Sequence, residues 1–282
     1  MSNFWQRAIT GTVFVAVIVV AVYFQLAFWL FLVVQAVGVW EFIGHGIPHI
    51  GSAKKVFYTG WASSLFYLFF SGEMLISNII KYAESPLICL SSNSLMPILL
   101  LVLFIPLIIE LFSKQENPLD RVSKIWFAAG YISLPFALAS VIDVEFHVEG
   151  ANALPLLLVV LIFIWSNDTF AYLVGRAVGK TPLFTRISPK KTIEGTLGGI
   201  LVTMGIAWFI YSPSYPIGHI PFLFFAATVC ITGILGDLVE SMFKRQWGIK
   251  DSGNILPGHG GILDRFDSFI LVMPFAYTFL SV

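Results

Sequence analysis

"IPFLFFAATVCITGILGDLVESMFKRQ" runs from Ile220 to Gln246. From Ile220 to Gly236 no residue is charged, and a helix needs about 20 mostly apolar residues to cross the roughly 30 Å hydrocarbon core of a bilayer. Then Asp237, Glu240, Ser241 and Lys244 arrive at the spacing i, i+3, i+4, i+7, which places them on one helical face. The stretch reads as a membrane span, about 220–243, whose last turns carry charge to one surface. It fixes the expected class as all-α: a polytopic transmembrane helical protein.

Composition extends that reading to the whole chain. Of 282 residues, 57% are hydrophobic and 11% charged, against about 25% charged in an average soluble domain. Mean hydropathy is +0.87. No polar region is long enough for a soluble domain, so 1–282 reads as a single membrane domain. Generic spans occupy 1–150, and 151–282 is the half with a polar site. The formal net charge is zero, so no global field points to nucleic acid. Cys89 and Cys230 stand alone, without CxxC or CxxH spacing, which argues against a thiolate metal site.

Nine apolar stretches approach span length, at about 8–24, 25–43, 56–72, 95–112, 124–142, 152–176, 194–211, 220–243 and 266–282. The segment 73–94 reads either as a short external helix or as an extra half-span. The first stretch lacks a small-residue cleavage site and reads as a retained span. With the N-terminus in the cytoplasm, Lys81 is the one Lys or Arg among 16 on the outer side, and Asp143, Glu145 and Glu149 fall in an external loop. Glu41 and Glu110 lie near span ends, within reach of the interface. No internal repeat supports an inverted-repeat transporter.

The chemistry-bearing residues gather late in the chain. Asp264 and Asp267, spaced i, i+3, open the ninth stretch, and a Trp247–Leu263 loop would bring them beside Asp237 and Glu240. Oxygen-only ligands at such a junction suit Mg²⁺, which takes one or two carboxylates together with water and substrate phosphate oxygens. The competing reading is salt bridging, Asp264 with Arg265 or Lys244 and Glu240 with Lys244. "PGHGG", 257–261, offers glycine backbone for close approach to a ligand and N–H groups for phosphate, with His259 between the carboxylate pairs. Asn167 and Asp168 lie at membrane depth about two turns before Arg176, where an acid is normally paired or functional. In "SPKKTIEG", 188–195, Ser188-Pro189 is expected to form a turn, and Lys190 and Lys191 to make an anion site at a helix N-terminus. Ordinary positive-inside charge competes with that reading of each lysine. Together these features suit phosphoryl or nucleotidyl transfer to a lipid. Walker A, HExxH, GxSxG and the DGxxAR…GxxxDxxxD pattern are absent.

One run has a known likeness. Ser241-x-Phe243-Lys244-Arg245-x4-Lys250-Asp251-x-Gly253-x2-Leu256-Pro257-x-His259-Gly260-Gly261-Ile262-x-Asp264-Arg265-Phe266-Asp267 resembles the complete signature of the phosphatidate cytidylyltransferase (CDP-diacylglycerol synthase) family, without departure. Asn167-Asp168…Ala171-Tyr172…Gly175-Arg176 and Ser188-Pro189-Lys190-Lys191-Thr192…Glu194-Gly195…Gly198-Gly199 are similar to that family's second block. The chain looks like a bacterial member. The resemblance implies the reaction of CTP with phosphatidate to give CDP-diacylglycerol and pyrophosphate. It implies Mg²⁺, with room for a second metal ion, and a multi-pass protein of the cell membrane with its site facing the cytoplasm. Asp237 and Asp264 are the expected principal metal ligands, with Asp168 and Asp267 in support. Lys244 and Asp168 are expected to share in catalysis. Lys190, Lys191, Ser188, Arg245, Lys250, His259, Gly260, Gly261 and Arg265 are expected to bind substrate. The expected partners are CTP, phosphatidate and membrane lipids; a homodimer is left open. The alternatives are a CTP-dependent enzyme acting on another lipid phosphate or a prenyl-type acceptor, and an ion-coupled transporter.

Overall fold

The computed structural model describes residues 3–83, 100–146, 153–256, 258 and 260–282. Ten helices are labelled here: α1 (Asn3–Tyr23), α2 (Ala27–Gly46), α3 (Ser52–Ala83), α4 (Ile105–Leu111), α5 (Pro118–Ala128), α6 (Leu134–Glu145), α7 (Leu156–Val178), α8 (Ile193–Ile210), α9 (His219–Trp247) and α10 (Leu263–Ser281). A π-helical turn, Ala129–Ser133, joins α5 to α6 without a break. A two-stranded antiparallel hairpin, β1 (Pro182–Phe184) and β2 (Ser188–Thr192), stands between α7 and α8. The chain is an all-α, multi-pass membrane protein carrying this one small hairpin.

Five described segments are long and apolar enough to cross a bilayer: Ala27–Gly46, Pro118–Glu145, Leu156–Val178, Ile193–Ile210 and His219–Trp247. The apolar parts of α1 and of the region before α5 are shorter, at Ile9–Tyr23 and Leu100–Leu111. α10 begins with Asp264, Arg265 and Asp267, so its apolar portion starts late. α3 runs straight through 73–83, which makes that part of the ambiguous segment a continuation of the third helix; 84–94 lies outside the described residues.

Three expectations change. Asp143 is not in a loop but buried in α6, whose helix continues through Glu145; Glu149 lies outside the described residues. Glu110 is enclosed by protein rather than open to solvent. It is 3% exposed and accepts hydrogen bonds from Lys54 Nζ (3.0 Å) and Tyr58 Oη (2.5 Å) and an ion pair from Arg121, which ties α3, α4 and α5 together. Glu41 is also buried and partnered, as described below. A carboxylate removed from water stays charged only if donors replace its hydration, and both sites supply them.

Two close helix contacts place the polar residues. On α8, Gly195, Gly198 and Gly199 face α7: a Cβ on Gly195 would come within 2.6 Å of the Ala171 carbonyl oxygen, and one on Gly199 within 2.8 Å of Asn167. On α9, a Cβ on Gly236 would stand 2.6 Å from the Asp267 carbonyl oxygen of α10. Small residues let helix backbones approach where lipid gives no hydrophobic push between helices. Thr192 caps α8, its hydroxyl accepting from Gly195 N–H at 3.2 Å. Buried rings of Phe31, Phe136, Phe266 and Phe269, with centroids 5.0–5.5 Å apart in successive pairs, lock α10 against α2 and α6.

Gly195→Val is expected to push α8 off the α7 backbone and cost about 1–3 kcal/mol. Gly205→Ala, with nothing within 4 Å of the added Cβ, should leave stability unchanged or raise it. Thermal unfolding of the detergent-solubilised protein measures the difference.

Candidate active site

A cavity of about 660 Å³ opens among α1, α7, the hairpin, α9 and α10. Asp168 comes from α7, Lys190 and Lys191 from β2, Asp237 from α9, and Asp264, Arg265 and Asp267 from α10. Arg176, one helical face further along α7, also lines it. Seven residues expected to bind metal or substrate, Asp168, Lys190, Lys191, Asp237, Asp264, Arg265 and Asp267, thus meet in one space. Phe14 and Val15 of α1, with Trp165 and Ile234, make an apolar wall. The cavity lining therefore combines charged and apolar side chains.

The charges are arranged in pairs across elements. Lys191 forms an ion pair with Asp237, which also accepts from Ser241 Oγ at 3.2 Å, one turn on. Lys244 Nζ bridges Glu240 Oε2 at 3.3 Å and Asp264 Oδ1 at 2.8 Å. Both ion pairs that salt bridging would give Lys244 are therefore present. Asp264 Oδ2 accepts from Ser252 N–H and Gly261 N–H, each at 2.8 Å, and lies 3.1 Å from Ser252 Oγ. Burial alone would raise the Asp264 carboxyl; the bonds from Lys244, Gly261 and Ser252 outweigh it and hold the group below the usual carboxylate range.

Among the described residues no three His, Cys, Asp or Glu side chains already converge as a metal cluster. The donor set is still the kind a hard cation takes. Asp168, Asp237, Asp264 and Asp267 offer only oxygen, and Mg²⁺ is commonly held by one or two carboxylates with phosphate oxygens completing the shell. These residues fit Mg²⁺ on that count.

Other expected residues stand differently. Ser188 and Pro189 are not the turn; they belong to β2, and residues 185–187 turn the chain. Lys190 and Lys191 accordingly project from a strand rather than from the first turn of α8. Arg245 and Lys250 are exposed and do not line the cavity, nor do Ser188, Gly260 and Gly261. Gly260 sits at φ +85°, and Gly261 directs its N–H at Asp264, so these glycines support a carboxylate instead of offering backbone to the cavity. His259 lies outside the described residues, as does Pro257. Sequence reasoning passed over Ser252, 1% exposed, and His45, whose Nε2 meets the Ser252 carbonyl at 2.8 Å. A lone serine in a glycine-rich loop and a histidine at a helix end carry no local signal of that pairing.

Asp237→Asn and Asp264→Asn should each lower turnover by a hundredfold or more, on the order of the loss seen when a charge-stabilising group at a reacting centre is removed. Lys191→Gln and Lys244→Gln, each losing charge-assisted contacts worth about 1.5–3 kcal/mol, should lower kcat/KM by about 10- to 150-fold. Kinetics on equal amounts of correctly inserted protein check both. Wild-type rates in all four variants would remove this cavity as the site.

The sequence matches the profile of the "Cytidylyltransferase family" over residues 5–282. A phosphatidate cytidylyltransferase of Bacillus subtilis (strain 168) is 41% identical over 194 residues, 67% of this chain and 69% of that protein. Its namesake from Staphylococcus haemolyticus is 37% identical over 184 residues, covering 65% and 68% respectively. The one from Staphylococcus aureus (strain COL) is 38% identical over 172 residues, covering 61% and 64%. With a match running from the first helix to the last residue, the chain belongs to the cytidylyltransferase family.

Proposed function

We propose that the protein is a phosphatidate cytidylyltransferase, making CDP-diacylglycerol and pyrophosphate from CTP and phosphatidate. The observation that carries this reading is the cavity in which four aspartates face Lys190, Lys191, Arg176 and Arg265 while α1 supplies an apolar wall. The names of the relatives point to the same reaction. Neither the multi-pass fold nor the signature run favours a transporter.

A phosphatidate oxygen attacks the α-phosphorus of CTP. The new P–O bond forms as the bond from the α-phosphorus to the α–β bridging oxygen breaks, and pyrophosphate leaves with that electron pair. The attacking phosphate monoester is already largely ionised near pH 7, with a second pKa close to 6, so no strong general base is required. The work left to the protein is positioning and charge neutralisation. Lys190 and Lys191 on β2 and Arg265 on α10 reach the cavity from different elements, suited to holding two anionic substrates in one space. Arginine offers a fork to two phosphate oxygens and lysine a point charge, so the two types are not interchangeable here. Asp237 and Asp264, with Asp168 and Asp267 nearby, would hold Mg²⁺, which when bound supplies Lewis-acid stabilisation of the phosphoryl oxygens. Lys244 keeps Asp264 oriented through its 2.8 Å bond. Phe14, Val15 and Trp165 exclude water from the lipid side.

The site is read as facing the cytoplasm at the cell membrane, where Lys and Arg gather on the connecting loops. Lys250 is exposed in the loop between α9 and α10. In a background lacking Cys89 and Cys230, Lys250→Cys should react with an impermeant thiol reagent from the cytoplasmic side alone; labelling from outside intact cells would overturn the orientation.

The reaction is tested with purified protein, labelled CTP and Mg²⁺, with phosphatidate present, withheld, or replaced by a polyprenyl acceptor. Label should enter the lipid extract only with phosphatidate and Mg²⁺. Incorporation with the polyprenyl acceptor and none with phosphatidate would reassign the substrate.

A further inference from the structure

Glu41 lies in the next-to-last turn of α2, far in sequence from every charged residue of the cavity, and is 6% exposed. Among the described residues no Lys or Arg pairs with it. Its charge is held instead by the start of α10. Oε1 accepts from Ile262 N–H and Oε2 from Leu263 N–H, both at 3.1 Å. These are N–H groups of a helix N-terminus, which have no partner within their own helix, and the helix dipole favours an anion there. Ser252 Oγ lies 3.1 Å from Glu41 Oε2 and 3.1 Å from Asp264 Oδ2. A hydroxyl has one proton, so Ser252 donates to one of these carboxylates at a time and links them.

The loop is shaped around this carboxylate. A Cβ on Gly261 would stand 2.6 Å from Glu41 Oε2, and one on Gly253 would overlap Oε1. His45, i+4 from Glu41 on the same face of α2, holds the Ser252 carbonyl through Nε2. Two side chains of α2 thus grip Ser252, whose own N–H and hydroxyl reach Asp264.

We propose that Glu41 is a positioning residue for the reaction: by occupying the N-terminus of α10 and gripping Ser252, it fixes Ser252 and Gly261 so that Asp264 presents one oxygen to Lys244 and the cavity. The same occupancy closes the α10 N-terminus to substrate phosphate and leaves Lys190, Lys191 and Arg265 to receive it. The inference rests on the reading of Asp264 as a working carboxylate of the site.

The test compares Glu41→Gln, Ser252→Ala and Asp264→Asn in the full-length protein with Mg²⁺, CTP and phosphatidate. Glu41→Gln keeps the shape and loses the charge. Its kcat should fall about ten- to a hundredfold, as expected for charge-assisted hydrogen bonds. KM for CTP should stay within about threefold, since binding residues on β2 are untouched. The Mg²⁺ concentration for half-maximal rate should rise severalfold, a shift that a smaller folded fraction cannot produce. Hydrogen–deuterium exchange of a peptide covering 249–263 should rise while the α7–α8 region stays as in wild type. Ser252→Ala leaves Glu41 capping α10 and should lower kcat in the same direction by less. It also decides the matter if Glu41→Gln does not fold. A wild-type kcat in Glu41→Gln, or in Ser252→Ala where the first variant is unfolded, overturns the proposal. A wild-type rate in Asp264→Asn removes the Asp264 reading itself, whereas loss there with wild-type rates in the other two removes only the role of Glu41.

Discussion

A carboxylate at the edge of a low-dielectric slab must find donors or cations, and the structure depends on how Asp264 finds them. Lys244 of α9 takes one oxygen; the backbone of Ser252 and Gly261 takes the other. Those bonds join α9, the connecting loop and the first turn of α10 into one unit. A buried charge losing its partner costs about 3–5 kcal/mol, more than any single surface ion pair contributes. Asp237 repeats the principle with Lys191, and because that lysine lies on β2, the pair fastens the hairpin to α9. Two ion-paired carboxylates, Asp237 and Asp264, thus fix the α9, α10 and hairpin sides of the cavity.

The arrangement suits polyanionic substrates because its lysines are shared. Lys191 is ion-paired with Asp237 and follows Lys190 on β2, so a phosphate entering there meets two cations carried by one strand. Positive charge held by a neighbouring carboxylate is less mobile than charge on a free loop, and pre-organised charge is what transition-state stabilisation requires. The close glycine contacts of α7 with α8 and of α9 with α10 bring Asp168 and Asp237 to one space. Packing chemistry and reaction chemistry are in this way carried by adjacent residues on the same helices.

Much of this was legible in the sequence where the rule is local. The i, i+3, i+4, i+7 spacing from Asp237 to Lys244 needs only the helical period, and the structure keeps those groups on one face, with Ser241 bonded to Asp237 and Lys244 to Glu240. The apolar runs gave the fold class for the same reason. What failed depended on distant partners. The glycines of 257–261 read in the sequence as backbone offered to a ligand, yet at Gly261 the space for a side chain is taken by Glu41 of α2, near the other end of the chain. Glu41 reads in the sequence only as an acid near a span end, within reach of the interface; tertiary packing alone supplies the α10 N–H groups that hold it. The β1–β2 hairpin was missed because Ser188-Pro189 carries turn chemistry, and a Pro is tolerated on a short two-stranded ribbon where no further strand needs its N–H.

In the proposed reaction the nucleotidyl group of CTP, not a terminal phosphoryl group, passes to the lipid. This transfer is tested most directly by following two labels on CTP, one at the α-phosphorus and one at the γ-phosphorus, through a single incubation of the purified protein with phosphatidate and Mg²⁺. The α label should appear in the lipid and the γ label in released pyrophosphate, in equal amounts. A γ label in the lipid, with CDP left in solution, would make the protein a CTP-dependent lipid kinase and contradict the account.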